Sequence, residues 1–99
     1  MNFKKLVKET FHVVKYIRND EDEKCGVVVV LEGQDGISYG WSICSELDQF
    51  SRDQGKGIAI LRALSGKCTL GNVPDLYNTK VQEAIQHMLT LFNEIKNRN

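Results

Sequence analysis

Hydrophobic and polar residues change their spacing several times along this chain, and each change predicts an element. From Phe11 to Arg18 the run "FHVVKYIR" is rich in β-branched and aromatic residues and reads as a strand. "NDEDEK", residues 19–24, has no apolar position and predicts a solvated, charged turn; it lacks the glycine and the twelfth-position glutamate of a calcium loop. "CGVVVVLE" is apolar on both sides, the pattern of a central strand. "GQDG" closes a hairpin, its glycines suited to positive φ. The returning strand "ISYGWSIC" alternates strictly. Tyr39, Trp41 and Ile43 fall on one side, and Ser38, Gly40, Ser42 and Cys44 on the other. One side is bulky, and the other is small enough for a helix backbone or a ligand to approach closely.

Beyond Cys44 the period lengthens. "SELDQF" leads into a helix for which Ser51 and Gln54 fit a capping box, with Asp48 as an alternative cap. Gly55 and Gly57 each cost that helix about 1 kcal/mol against alanine, so they predict close contact with a strand, another subunit or a ligand. Gly66 ends the helix. "KCTLGNVPDLYN" is a connection or a short extra strand. A last helix runs from Asn78 or Thr79 to Lys96, with Val81, Ala84, Ile85, Met88, Phe92 and Ile95 forming its apolar stripe. Residues 3–9 have room for one or two helical turns. The order β-β-β-α-α predicts an α+β fold: an antiparallel sheet of three or more strands, followed by two helices packed on one face.

Composition narrows the class without naming it. The 99 residues make a single domain, 1–99, able to bury a core without metal or disulfides. Thirteen basic residues balance thirteen acidic ones. Non-specific nucleic-acid binding draws its affinity from phosphate neutralisation, so a nucleic-acid partner is not expected. No apolar run is long enough to cross a bilayer, and "MNFKKLVKETF" lacks the apolar core of a signal peptide. These features, with three widely spaced cysteines, predict a cytoplasmic protein with reduced thiols.

Catalytic chemistry finds little support. Cys44 as a nucleophile would need His12 or His87 within reach, and its simpler reading is a small thiol in a strand. Glu46, Asp48 and Asp53 are more simply acidic residues collected at a helix N-terminus. "GKG" at residues 55–57 lacks the frame of a P-loop. No enzyme, metal or cofactor is therefore expected. Binding is better supported. The strand–helix junction offers hydroxyls at Ser42, Ser45 and Ser51, helix amides, and the cations Arg52 and Lys56. Arg62 stands on an otherwise apolar stretch of helix. It is either a snorkelling or ion-paired side chain, with Asp48 as a candidate partner, or a guanidinium facing a pocket. Tyr39, Trp41 and Phe50 have faces on which a purine could stack, with core packing as the default for at least one of the two strand aromatics.

The residues Gly40, Cys44, Ser45, Asp48, Phe50, Arg52, Gly55, Lys56, Ile58, Ala59 and Arg62 together make a pattern. It resembles a motif of small bacteriophage-encoded proteins, G-x-x-x-C-[SN]-x-x-D-x-F-x-[KR]-x-x-G-[RK]-x-I-A-x-G-R. Leu61 stands where that motif often has glycine before the arginine. The motif is similar to that of the Thoeris anti-defence sponges, which sequester cyclic ADP-ribose-type immune signals without cleaving them. The resemblance covers about a quarter of the chain. It implies a non-enzymatic, oligomeric, phage-type protein in the bacterial cytoplasm, with Ser45 and Arg62 on the nucleotide and Phe50 supporting the pocket. The ligand-binding candidates are thus Ser45, Asp48, Phe50, Arg52, Lys56 and Arg62. The competing expectation is a module that inhibits a host protein through a patch of Tyr39, Trp41 and the glycine face of the first helix.

Overall fold

Three strands form one antiparallel sheet in the order β1-β2-β3: β1 is His12–Arg18, β2 Lys24–Gly33 and β3 Gly36–Ile43. Helix α1 (Arg52–Ser65) and helix α2 (Asn78–Asn97) follow, joined through short 3-10 turns at Leu70–Asn72 and Asp75–Tyr77. The structure is a computed structural model and describes residues 5, 12–33, 36–44, 50–66 and 70–97. The α+β class and the order of elements are as the hydrophobic pattern predicts. Of the connection before α2, the described part is helical turn and contains no strand. The expected turns at residues 3–9, Phe11 at the head of β1 and the hairpin tip at Gln34 and Asp35 lie outside the described residues, Lys5 apart.

The helices are not on one face, and this corrects the expected arrangement. Val27, Val29 and Leu31 of β2 pack with Ala59, Ile60 and Ala63 of α1. Val28 packs with Trp41, Val81, Ala84 and Ile85, and Val30 with Met88 and Phe92, all on the α2 side. Successive strand residues point to opposite faces, so the sheet is the middle layer of three. All five residues from Val27 to Leu31 are fully buried, which a sheet with one wet face would not allow. Burial of this kind contributes about 1.5–3 kcal/mol per side chain, so the double-sided strand is the centre of the core.

β3 decides which helix goes where. Tyr39 and Trp41 fill the α2 side. On the other side a β-carbon on Gly40 would run into the Ala59 carbonyl and stand 2.8 Å from Ala63 N. The α1 backbone lies directly on Gly40. Only the small-residue side of the strand admits a helix that close. Helix α1 starts at Ser51, whose hydroxyl accepts from Gln54 N at 3.4 Å, and ends at Gly66 with φ 68°. Of the two N-caps the sequence leaves open, the structure uses Ser51, and Gly66 is the expected C-cap.

Candidate functional site

The hairpin between β1 and β2 creates the first unexpected feature. Pairing runs in step from His12 opposite Leu31 to Ile17 opposite Gly26, and then Arg18 faces Lys24. Cys25 is therefore an extra residue, a β-bulge opposite Ile17. Its thiol contacts Ile17 O at 3.5 Å and packs on the α2 side. Bulges re-aim the side chains beyond them. Without the extra residue Lys24 would alternate onto the α2 face; with it, Lys24 turns to the α1 face. There its ammonium lies 4.3 Å from the centre of the Tyr16 ring.

Tyr16 is the centre of this corner. Lys56, from the second turn of α1, places its ammonium 5.7 Å from the same ring centre. Phe50 meets the ring edge-on, with centroids 6.2 Å apart and planes at 87°. Gly55 explains how Phe50 fits, because a β-carbon there would lie 3.0 Å from the Phe50 ring and 3.4 Å from Val27. The contact that the helix glycine predicts is thus one within the protomer, to Phe50 and a strand. Gly57 is also buried.

Among the described residues the corner gathers cations. Measured from one ring centre at 4.3 and 5.7 Å, the two ammonium groups are no more than about 10 Å apart. Among the described residues neither is paired with a carboxylate. Arg52 is exposed at the start of α1 beside them. The N-terminal pole of a helix favours acidic side chains, and Asp53 meets that preference. Arg52 and Lys56 go against it. Lys24 and Lys56 on one aromatic ring, with Arg52 at the same positive helix end, are what an anion would stabilise.

Arg62 has gone elsewhere. Six residues beyond Lys56, it leaves the opposite flank of α1 and reaches β3. Its Nη1 donates to Trp41 O at 2.7 Å, and its guanidinium carbon lies 5.0 Å from the Trp41 ring centre. The guanidinium has a structural partner, and that partner is a backbone carbonyl. Tyr16 and Trp41 belong to opposite edge strands, so the structure brings Phe50 and Lys56 together and sets Arg62 apart from them. Ser45 and Asp48, the remaining candidates, lie outside the described residues. The sequence reading missed Tyr16 and Lys24. Its one available signal was Gly26, an isolated glycine in a β-branched strand, which often marks a bulge.

Other expectations resolve on the same geometry. Trp41 is only 8% exposed, Tyr39 is half-buried on the α2 side, and Gly55 and Gly57 are buried within α1. The patch proposed for a host-protein inhibitor is therefore split between two sides of the sheet and largely covered. Cys44 cannot be served by His12. Cys44 N donates to Cys25 O, whereas His12 pairs with Leu31, six residues along β2 and so about 20 Å away. His87 is exposed on α2. Among the described residues no three His, Cys, Asp or Glu side chains gather as metal ligands, and no helix is long and apolar enough to cross a membrane.

Comparison of the chain with protein-family models, curated proteins and solved structures returns no significant match.

Proposed function

We propose that this chain is a non-enzymatic binding protein for a small phosphorylated ligand, held at the Tyr16–Lys24–Lys56 corner beside the start of α1. One observation carries the reading: two ammonium groups are directed onto one tyrosine ring, one by a β-bulge and the other by a helix start, with no carboxylate partner among the described residues. Phosphate is the anion that such a pair suits, since two point charges neutralise it without demanding a fixed fork geometry. Phe50 and Gly55 supply the support beneath. Phosphate affinity here needs no base stacking on Tyr16, whose ring the ammonium groups already occupy.

The motif spanning Gly40 to Arg62 supports a more specific setting, sequestration of a cyclic nucleotide-type immune signal by a phage-type anti-defence protein in the bacterial cytoplasm. Homo-oligomerisation belongs to the same proposal, and Leu91, 37% exposed beside the apolar stripe of α2, is the residue offered for it. Native mass spectrometry of the purified chain tests the ligand reading. A phosphorylated small molecule should co-purify, or bind on addition of ADP or an ADP-ribose, and be returned intact after denaturation. A chain that stays bare at millimolar nucleotide would refute it. Turnover beyond one equivalent would refute the non-enzymatic part.

A further inference from the structure

The second use of a cation concerns the edges of the sheet. Among the described residues no strand pairs with the outer side of β1 or β3, and an edge strand presents backbone groups that can pair with another strand. In the β2–β3 ladder, Cys44 N bonds inward to Cys25 O, while the Trp41 carbonyl is met from outside by Arg62. Alternation in an antiparallel pair then directs the backbone groups of Ile37, Tyr39, Trp41 and Ile43 away from β2.

The two edges are protected unequally. β1 carries His12, Lys15 and Arg18 in its own sequence, and Lys80 of α2 donates to Arg18 O at 2.7 Å. β3 reads GISYGWSI, eight residues with no charge and no proline. Uncharged edge strands of that length are the ones that pair with copies of themselves. Arg62 is a cation brought onto β3 from α1. A neighbouring strand would lie about 4.8 Å from β3. A guanidinium at 2.7 Å from Trp41 O, with its carbon 5.0 Å from the indole centre, stands in that space.

We infer that Arg62 is a gatekeeper, which keeps the β3 edge from pairing with β3 of a second copy of this chain. The partner is a second copy because an antiparallel edge pairs with itself about a two-fold axis and needs no other surface to match. This role is independent of the ligand site, which lies at the opposite edge strand.

The experiment compares wild type, Arg62→Ala, Arg62→Met and the double variant Arg62→Ala/Ile37→Lys by light scattering coupled to size exclusion, with circular dichroism as the check on fold. Methionine keeps an apolar stem while removing every donor. Ile37 is 42% exposed on β3, so lysine there puts a charge on the edge without disturbing the core. Both single variants should remain folded and double the wild-type mass in a concentration-dependent way. The double variant should return to the wild-type mass. Folded single variants with unchanged mass would overturn the inference, and so would a doubled mass that Ile37→Lys leaves in place. Unfolding of both single variants would overturn it too, by making Arg62 a requirement of the protomer.

Discussion

Gly40→Ala is the sharpest test of how the sheet and α1 meet. The new β-carbon would run into the carbonyl of Ala59 and lie 2.8 Å from Ala63 N and 3.0 Å from Ala59 C, all of them helix backbone. No rotamer change relieves a clash with backbone, so α1 must retreat by more than about half an ångström to restore ordinary contact. A gap of ~0.5–1 Å forfeits a quarter to a half of each dispersion contact across it. The loss falls on Ala59, Ile60 and Ala63 against Val27, Val29 and Leu31. Overpacking by one methyl costs about 1–3 kcal/mol, and the loosened layer brings the expected total to about 3–4 kcal/mol. A domain of this size has roughly 5–15 kcal/mol in all. Urea denaturation followed by circular dichroism should therefore show the midpoint falling by about 1–4 M, at a slope of roughly 1–3 kcal/mol/M that the variant leaves unchanged. An unfolding free energy within about 0.5 kcal/mol of wild type would refute the direct seating of α1 on Gly40.

Ser51→Ala removes the cap that accepts from Gln54 N, and because that bond is long at 3.4 Å the loss should be about 0.5–1 kcal/mol in the same denaturation assay. Ser51→Asp should restore most of it, and no loss in the alanine variant would place the cap elsewhere. In the β1–β2 turn the Glu21 carboxyl is held above its ordinary range, first by the hydrogen bond it shares with Glu23 and then by the charge of Glu23. An acid raised in the folded state contributes stability that is complete below its ordinary value and is lost as pH rises through the folded one. Thermal melts from pH 3.5 to 7 should therefore show Glu21→Gln gaining relative to wild type as pH increases; a gap that is flat with pH would contradict the pairing.

The order of elements and both ends of α1 were legible because they depend on local chemistry: strict alternation in β3, Ser51 with Gln54, and Gly66 at positive φ. The layering was legible too, in the doubly apolar run Val27–Leu31, yet placing both helices on one face contradicts that same pattern. A strand apolar on both sides needs a cover on each. The site was harder. Arg62 stands out in any reading of α1, but its partner is a carbonyl of an edge strand, and edge position is a property of the whole sheet. Lys24 and Tyr16 are sixteen residues or more from the motif and on a different hairpin. They come together only through the bulge at Cys25, which shifts one side chain across the sheet and leaves no mark on hydrophobic periodicity beyond Gly26.

The central claim is that a phosphorylated ligand is held by the two ammonium groups on Tyr16. The most direct measurement is a two-dimensional amide NMR titration of the wild-type chain and of Lys24→Gln/Lys56→Gln with ADP. Both lysines are partly exposed and outside the core, so the double variant should keep the wild-type spectrum and stability to within about 0.5 kcal/mol. In wild type, saturable shifts should centre on Tyr16, Lys24, Cys25 and residues 50–57, and pyrophosphate should reproduce them while adenosine does not. In the double variant they should disappear. Shifts that centre on Trp41 and Arg62 instead, or that survive loss of both lysines, would contradict the account.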